Sequence, residues 1–291
     1  MNTEEKNKIV GGMLYLVATP IGNLADLSER AIKVLGEVDF IAAEDTRNTL
    51  RLLSSLGISR PLVSYHEHNK HEAGERIAAR LKSGESCALV TDAGTPAISD
   101  PGEELVTLCA DMGIPVTSIP GACAFVTALT LSALPTRRFV FEGFLPLKKK
   151  ERRERLDALK RESRTFILHE APHKLKGTLA DLSEALGGDR RIALCRELTK
   201  LNEDVMRTTL GEAVAHYSVH EPRGEYVLVL DGSETAEAQI DSESSMSPAE
   251  TVAYYEKSGM TKNEAVKAAA KALGLPRNEV YKLTIRTEED K

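Results

Sequence analysis

The feature that most constrains this chain is a repeating unit: a short run of Val, Ile, Leu and Phe, then Gly, Pro or Asp, then a segment with helical spacing. The runs fall at 14–18, 40–43, 87–91, 116–119, 139–141, 166–168, 192–195 and 226–230. Between them the spacing predicts helices over 27–35, 47–56, 71–81, 103–112, 124–131, 151–160 and 175–186. Short, almost wholly apolar runs alternating with helices imply a largely parallel sheet with helices on both faces. Asp45 or Thr46 is placed to cap the second helix, and Gly57 to end it.

Leu134-Pro135-Thr136 interrupts the pattern and Phe139-Val140-Phe141 restarts it. The expected organisation is therefore α/β, with two α/β units at 12–134 and 135–231. Residues 232–247 contain Glu234, Glu237, Asp241 and Glu243 and no basic residue, which reads as an acidic flexible linker. Helical spacing at Val252, Tyr255, Ala265, Val266, Ala269, Leu273, Val280 and Leu283 makes 248–291 a small helical bundle. Its outline allows a helix-turn-helix; a docking bundle is the preferred reading. At 42% hydrophobic and 28% charged, the 291 residues exclude disordered, collagen-like and coiled-coil classes for the whole chain.

No run approaches the roughly eighteen apolar residues of a membrane helix, and the opening MNTEEKNKIVGG lacks the apolar core of a secretion signal. A cytoplasmic protein without membrane contact is expected. Cys87, Cys109, Cys123 and Cys195 form no CxxC pair and read as reduced, mostly buried thiols. The net charge of −6 argues against non-specific coating of nucleic acid. Residues 148–164, however, carry nine Lys/Arg against four acids, a local +5 that leaves −11 elsewhere.

In open parallel sheets ligands lie beyond the carboxyl ends of the strands. Here those ends bear TPIGN, EDTR, DAGTP, PGAC, HEAPHK and CRELTK. In the stretch 92–102, Gly94 permits close backbone approach to a small polar ligand, and Pro96 and Pro101 preset the loop. The plainer alternative is a strand-to-helix loop capped by Asp100. Glu44-Asp45-Thr46-Arg47 is equally a helix cap or a carboxylate beside a phosphate-gripping guanidinium. His66, His68 and His71 raise a metal site, but without HExxH a loop facing an anionic partner is preferred. Neither GxGxxG nor GxxxxGK[ST] occurs. The basic run is either a solvated helix face or an arm contacting phosphates, and no Trp with 4% aromatic residues argues against extensive base stacking.

Taken in order, TPIGNL, AAEDTR, SYHEHN, VTDAGTPAISDPG, IPGACA, LPTRRFVFEGFLP, CRELTK and RGEYVLV resemble the 16S rRNA (cytidine-2'-O)-methyltransferase family of the tetrapyrrole methylase superfamily. The likeness spans 14–230, and EVYKL at 279–283 also fits. The resemblance implies two α/β/α domains with a cleft holding S-adenosylmethionine, and a homodimer. It implies cofactor contacts from Pro20, Asp92, Gly94, Ala97, Ile98, Ser99, Cys123, Ala124, His169 and Ala193. It further implies a substrate: the ribose of a decoding-centre cytidine in 16S rRNA, presented by the assembled small ribosomal subunit. Relatives commonly carry Tyr-Glu-Ser-Pro-His-Arg where this chain has HEAPHK at 169–174, and proline where Ala122 stands.

Methyl transfer to a ribose hydroxyl calls for a base, with Glu170, Asp100 and Glu44 the leading candidates beside Asp45 and His173. RNA contacts are expected from Asp45, Arg47, His66, His173, Arg196, Lys200, Arg223, Lys148, Lys149, Lys150 and Arg152. No metal is expected, because charge on sulfur is lost as the methyl group moves, and no DNA partner is expected. The rival readings are a tetrapyrrole methylase, a non-catalytic ribosome-binding module, and a DNA-binding regulator acting through 248–291.

Overall fold

The computed structural model describes residues 7–233, 247–257, 260–273 and 275–281. Most of the expected linker, together with Gly259 and Leu283, lies outside the described residues. The first sheet comprises β1 (Leu14–Val17), β2 (Phe40–Ala43), β3 (Leu62–Ser64), β4 (Cys87–Val90) and β5 (Val116–Ile119), in spatial order β3-β2-β4-β1-β5. All its pairings are parallel. Its helices are α1 (Glu29–Glu37), α2 (Thr46–Ser55), α3 (Lys70–Lys82), α4 (Gly102–Asp111) and α5 (Ala124–Leu131). Asp45 caps α2 by accepting from the Arg47 amide, and Gly57 follows with φ +69°.

Alternation along each strand builds two cores. Leu14, Phe40, Ala42, Cys87 and Leu89 face α3 and α4 residues such as Ile77 and Leu105. Tyr15, Val17, Ile41, Ala43, Ala88 and Val90 face α1 and α2 residues such as Leu35 and Leu53. Burial on both faces is what an all-parallel sheet requires, and each fully buried Leu, Ile or Phe side chain contributes about 1.5–3 kcal/mol.

The second sheet holds β6 (Phe139–Gly143), β7 (Thr165–Glu170), β8 (Arg191–Arg196), β9 (Asp204–Thr209) and β10 (Tyr226–Leu230), in order β6-β7-β10-β8-β9. Helices α6 (Lys149–Leu159), α7 (Pro172–Leu186) and α8 (Leu210–Val219) accompany it. Only β6 and β7 pair in parallel; β10 runs antiparallel between β7 and β8, and β9 is antiparallel to β8. The expectation of a largely parallel arrangement therefore fails for this half. Strand burial reveals the run but not its direction, since β10 is buried at every residue in either sense. The strand β9 and helix α8 are absent from the sequence-based expectation; β9 (DVMRTT) is an edge strand with no fully buried residue and no apolar-polar alternation to reveal it.

Helix α5 follows the last strand of the first sheet yet packs on the second. Ala128 and Leu129 share a core with Ile167, Ala193, Cys195, Val227 and Val229. The chain thus passes from one domain to the other in packing before it does so at Leu134-Pro135. Beyond the second sheet, α9 (Pro248–Lys257) and α10 (Lys262–Leu273) bury Val252, Ala265, Val266 and Ala269 against one another. No helix among the described residues is long and apolar enough to cross a membrane.

Candidate active site

The carboxyl rim of the first sheet meets the rim of the second formed by Gly143, Glu170, Arg196 and the start of β10 at Tyr226. Between them lies a cleft of about 360 Å³. Ile21, Ala93 and Ala124 form one wall; Phe144, His169, Glu170, Cys195, Leu198 and Tyr226 are among those forming the other. At two glycines the walls approach closely. A Cβ on Gly22 would lie 2.9 Å from Thr199 Oγ1, and one on Gly143 would lie 3.1 Å from Ser99 Oγ.

The loop after β4 is shaped by its own backbone. Gly94 (φ +87°) bridges Thr19 through paired amide and carbonyl bonds, and Thr95 Oγ1 donates to the Ala122 carbonyl. Ala97 (φ +67°) and Ser99 (φ +60°) occupy the left-handed region, as do Glu197 (φ +51°) and Thr199 (φ +67°) on the facing loop. Non-glycine residues held there cost on the order of 1–3 kcal/mol each, and such strain collects where geometry serves a ligand.

Behind this loop sit three carboxylates. Thr91 Oγ1 donates to Glu44 Oε2 at 2.7 Å, and Asn48 donates to Asp92 at 3.1 Å. Burial, reinforced by the Glu44 charge, pushes the Asp100 carboxyl up to about 6. Burial together with Glu44 and Asp45 also raises Asp92. Asp45 is different: hydrogen bonds from the Arg47 side chain and amide hold it at about 2.

Glu170 borders the cleft but is not free. It is 5% exposed; Oε1 accepts from the Ala171 amide and Oε2 from Thr178 Oγ1. Arg152 in turn donates to Thr178 Oγ1 at 2.9 Å and to Asp181 at 2.6 Å. The carboxylate is thus the end of a network joining α6, α7 and β7. Glu170 lines the cleft from within this network, and Arg152 is largely buried in it.

The structure places three further expected residues as follows. Ala193 is fully buried in the middle of β8, paired with Val229 and Arg207, while Cys195, nearer the strand end, lines the cleft. Lys200 is neutralised by Glu197 at 2.9 Å and Glu225 at 2.7 Å. Asp45 Oδ1 accepts from the Arg47 amide and Nε, and Oδ2 from Arg47 Nη2. Lys148, Lys149, Lys150, Arg47, His173 and Arg223 are exposed. His66 Nδ1, His169 Nε2, Arg196 Nε and Thr199 Oγ1 are buried without a hydrogen-bond partner. Pro20, Ile98 and Cys123 lie on the loops around the first wall. No group of three or more His, Cys, Asp or Glu able to hold a metal ion occurs among the described residues.

Sequence reading missed Phe144, Leu198, Tyr226 and Val227 as cleft residues. Phe144 carried a signal, an aromatic after a strand-ending glycine. Tyr226 carried none, since it reaches the cleft only because β10 is antiparallel. His169 lies between the Phe141 and Phe144 rings, at 5.2 and 5.6 Å, and burial lowers its pKa, so the ring is neutral. Burial pushes the Cys195 thiol up to about 12, which makes it an inert wall rather than a nucleophile.

Two α/β domains joined across a rim-to-rim cleft match the tetrapyrrole (corrin/porphyrin) methylases, whose family model covers residues 13–214. Uroporphyrin-III-C-methyltransferase from Thermus thermophilus shares the fold at 21% identity and a TM-score of 0.53, over 78% of this chain and 97% of that one. Another structure of that enzyme, complexed with S-adenyl homocysteine, aligns with a TM-score of 0.52 at 20% identity, over 78% of this chain and 99% of that one. Much nearer in sequence is ribosomal RNA small subunit methyltransferase I of Synechocystis sp., 46% identical over 96% of this chain and 99% of the relative. The Bacillus subtilis protein of that name is 47% identical over 93% of each. The chain belongs to the ribosomal RNA small subunit methyltransferase I family within the tetrapyrrole methylases, and is a methyltransferase.

Proposed function

We propose that this chain transfers a methyl group from S-adenosylmethionine to the ribose 2'-hydroxyl of a cytidine in the 16S rRNA of the small ribosomal subunit. The observation that carries this reading is near-full-length similarity to relatives named as small-subunit rRNA methyltransferases, which covers both walls of the cleft. S-adenosylmethionine supplies an electrophilic methyl group on a sulfonium. The cleft suits it: Ile21, Phe144, Leu198 and Val227 offer apolar faces to an adenine ring, and the partnerless His169 Nε2 offers a hydrogen-bonding group. Gly94, with its left-handed backbone, lets main-chain amides come close.

The protein's part in the transfer is to align the hydroxyl with the methyl carbon and accept its proton. The acceptor in this reading is Asp100, on the loop 92–102 that borders the cleft at Ala93; its side chain itself lines a separate small pocket with Glu44, Thr91 and Pro96. With its pKa near 6 it is ionised at neutral pH yet more basic than an ordinary carboxylate. Glu44 keeps Asp100 basic and is tied to Thr91; Glu170 positions α7. Arg47, Arg196, Arg223, His66, His173 and Lys148, Lys149 and Lys150 supply RNA contacts. The same reading carries a homodimer working in the cytoplasm.

The test incubates the protein with labelled S-adenosylmethionine and undermethylated small subunits, free 16S rRNA or a uroporphyrinogen, and locates label by nuclease digestion and mass spectrometry. Label on a cytidine 2'-oxygen is expected. Label on the tetrapyrrole, or none on RNA, overturns the reading.

A further inference from the structure

The end of the second sheet opposite the cleft, where Phe139 pairs with Thr165, holds a second cavity of about 520 Å³. Its charged lining is Arg137, Arg138, Arg164 and Asp231. Two of these are already committed: Arg164 is paired with Glu162, and Asp231 accepts from Arg191. Arg137 and Arg138 are adjacent and exposed and make no hydrogen bond or ion pair among the described residues, although the charge of Arg138 acts on Glu162. Two like charges side by side at one mouth repel each other until an anion joins them. The arginines come from the LPTRRFVFEGFLP segment, and nothing in the cleft uses them.

A second, independent observation lies in the wall. Thr165 is 2% exposed, its Oγ1 has no hydrogen-bond partner, and it borders this cavity. Buried hydroxyls are normally satisfied, so an acceptor is missing here. Close backbone packing shapes the remaining wall: a Cβ on Gly232 would collide with the Ser163 carbonyl oxygen. Two free guanidiniums and one donor without an acceptor call for a tetrahedral oxyanion, since arginine pairs with phosphate through parallel N–H donors.

We infer that this cavity binds a phosphate group, and, resting on the RNA substrate proposed above, that the phosphate belongs to an RNA backbone. Strand β7 runs from Thr165 at the cavity to Glu170 at the cleft, a separation of roughly 17 Å for five residue rises. An RNA with one ribose in the cleft reaches the cavity with a neighbouring stretch of its backbone. The cavity thus fixes the direction of the strand without reading a base.

The experiment uses the full chain, the double variant Arg137→Gln with Arg138→Gln, and Thr165→Val, which keeps the side-chain shape. RNA affinity is measured against salt with a 16S rRNA fragment, S-adenosylmethionine affinity by calorimetry, and melting temperature with and without inorganic phosphate at constant ionic strength. The double variant is expected to flatten the salt slope by about 0.7, the value for the one single-strand phosphate contact it removes, with cofactor affinity within twofold of wild type. Thr165→Val is expected to weaken RNA binding severalfold with the slope unchanged. If the slope does not move but phosphate raises the melting temperature of wild type and not of the double variant, the phosphate site stands and its ligand is the free ion. If neither responds, the site is overturned. Wild type that binds no RNA at all refutes the proposed function instead, leaving the phosphate arm to decide the cavity.

Discussion

Gly22, in the loop after the first strand, lies against Thr199 of the opposite domain so closely that a methyl group on it would sit 2.9 Å from the threonine hydroxyl. The same methyl would lie 3.1 Å from the Leu198 carbonyl and 2.4 Å from Lys200 Cγ. The lysine stem can swing away and the threonine hydroxyl can turn about χ1, but the Leu198 carbonyl is backbone and has to shift. Gly22→Ala should therefore force the walls of the cleft apart, at a stability cost of about 1–3 kcal/mol. The expected result by calorimetry is at least a tenfold loss of S-adenosylmethionine affinity with a lowered melting temperature. Unchanged affinity would show that this contact does not set the width of the cleft.

Asp100 links pH to both stability and rate. Because its folded pKa is raised to about 6, the folded state binds more protons than the unfolded one between about pH 4 and 6. Stability contributed by this group is thus present in acid and lost as pH rises through that window. Asp100→Asn should melt higher than wild type at pH 8, by about 2–4 °C for a screened effect on the order of 1 kcal/mol, and show no advantage at pH 4. Activity has the opposite dependence: wild type needs the ionised form, so its rate falls below about pH 6. The variant should lose on the order of a hundredfold in kcat and with it that inflection.

Thr178 stands between Arg152 and Glu170, donating to one and accepting from the other. Thr178→Val removes a partner from a buried carboxylate and should cost about 1–3 kcal/mol. Assayed well below its melting temperature, the variant should keep kcat within a few-fold of wild type. A large loss of kcat with no change in melting temperature would return Glu170 to the chemistry.

Gly94 adopts φ +87° while exchanging two backbone hydrogen bonds with Thr19. A β-branched side chain is strained there, and its Cβ would also touch Ile21 Cγ2 at 3.4 Å, on the cleft wall. Gly94→Val should abolish measurable S-adenosylmethionine binding while the chain remains folded by circular dichroism. Retained affinity would remove this loop from the cofactor site.

The strands at 40–43, 116–119 and 226–230 and the helix at 124–131 have the ends that the sequence pattern indicates; Pro or charged residues bound each of the three strands, and Cys123 and Ser132 flank the helix. Strand Leu62–Ser64 was hidden by its brevity and its half-buried residues. Strand direction was hidden for a deeper reason: alternation and burial are the same for parallel and antiparallel neighbours. That ambiguity propagated to the site. The loops of the first domain could be placed from strand ends alone, whereas Tyr226 and Val227 enter the cleft at the start of a strand. Charge state was equally invisible. Asp45 and Asp100 look alike in the sequence, yet one is held at about 2 by Arg47 and the other raised to about 6 by burial.

The basic run divides into two kinds of residue, which predicts opposite behaviour on substitution. Lys148 and Lys150 have side chains 81% and 89% exposed, with Glu151 at 3.0 Å and Glu154 at 4.0 Å as surface partners, and Lys149 is exposed as well. Surface pairs of this kind contribute little to stability, so the lysines remain available to an RNA backbone. Arg152, by contrast, is 18% exposed and clamps α6 to α7 through Asp181 and Thr178. Replacing all three lysines with glutamine should leave the melting temperature within about 1 °C, because each change costs no more than a few tenths of a kcal/mol. The salt slope of RNA binding should flatten by about 2, at about 0.7 per contact. Arg152→Gln should do the reverse, lowering the melting temperature by several degrees with the slope nearly intact, since it strips a partner from buried Thr178 and another from Asp181. If the triple variant binds RNA with the wild-type slope, the lysines are a solvated helix face, and the RNA contacts must come from the arginines around the cleft and at the far end of the second sheet.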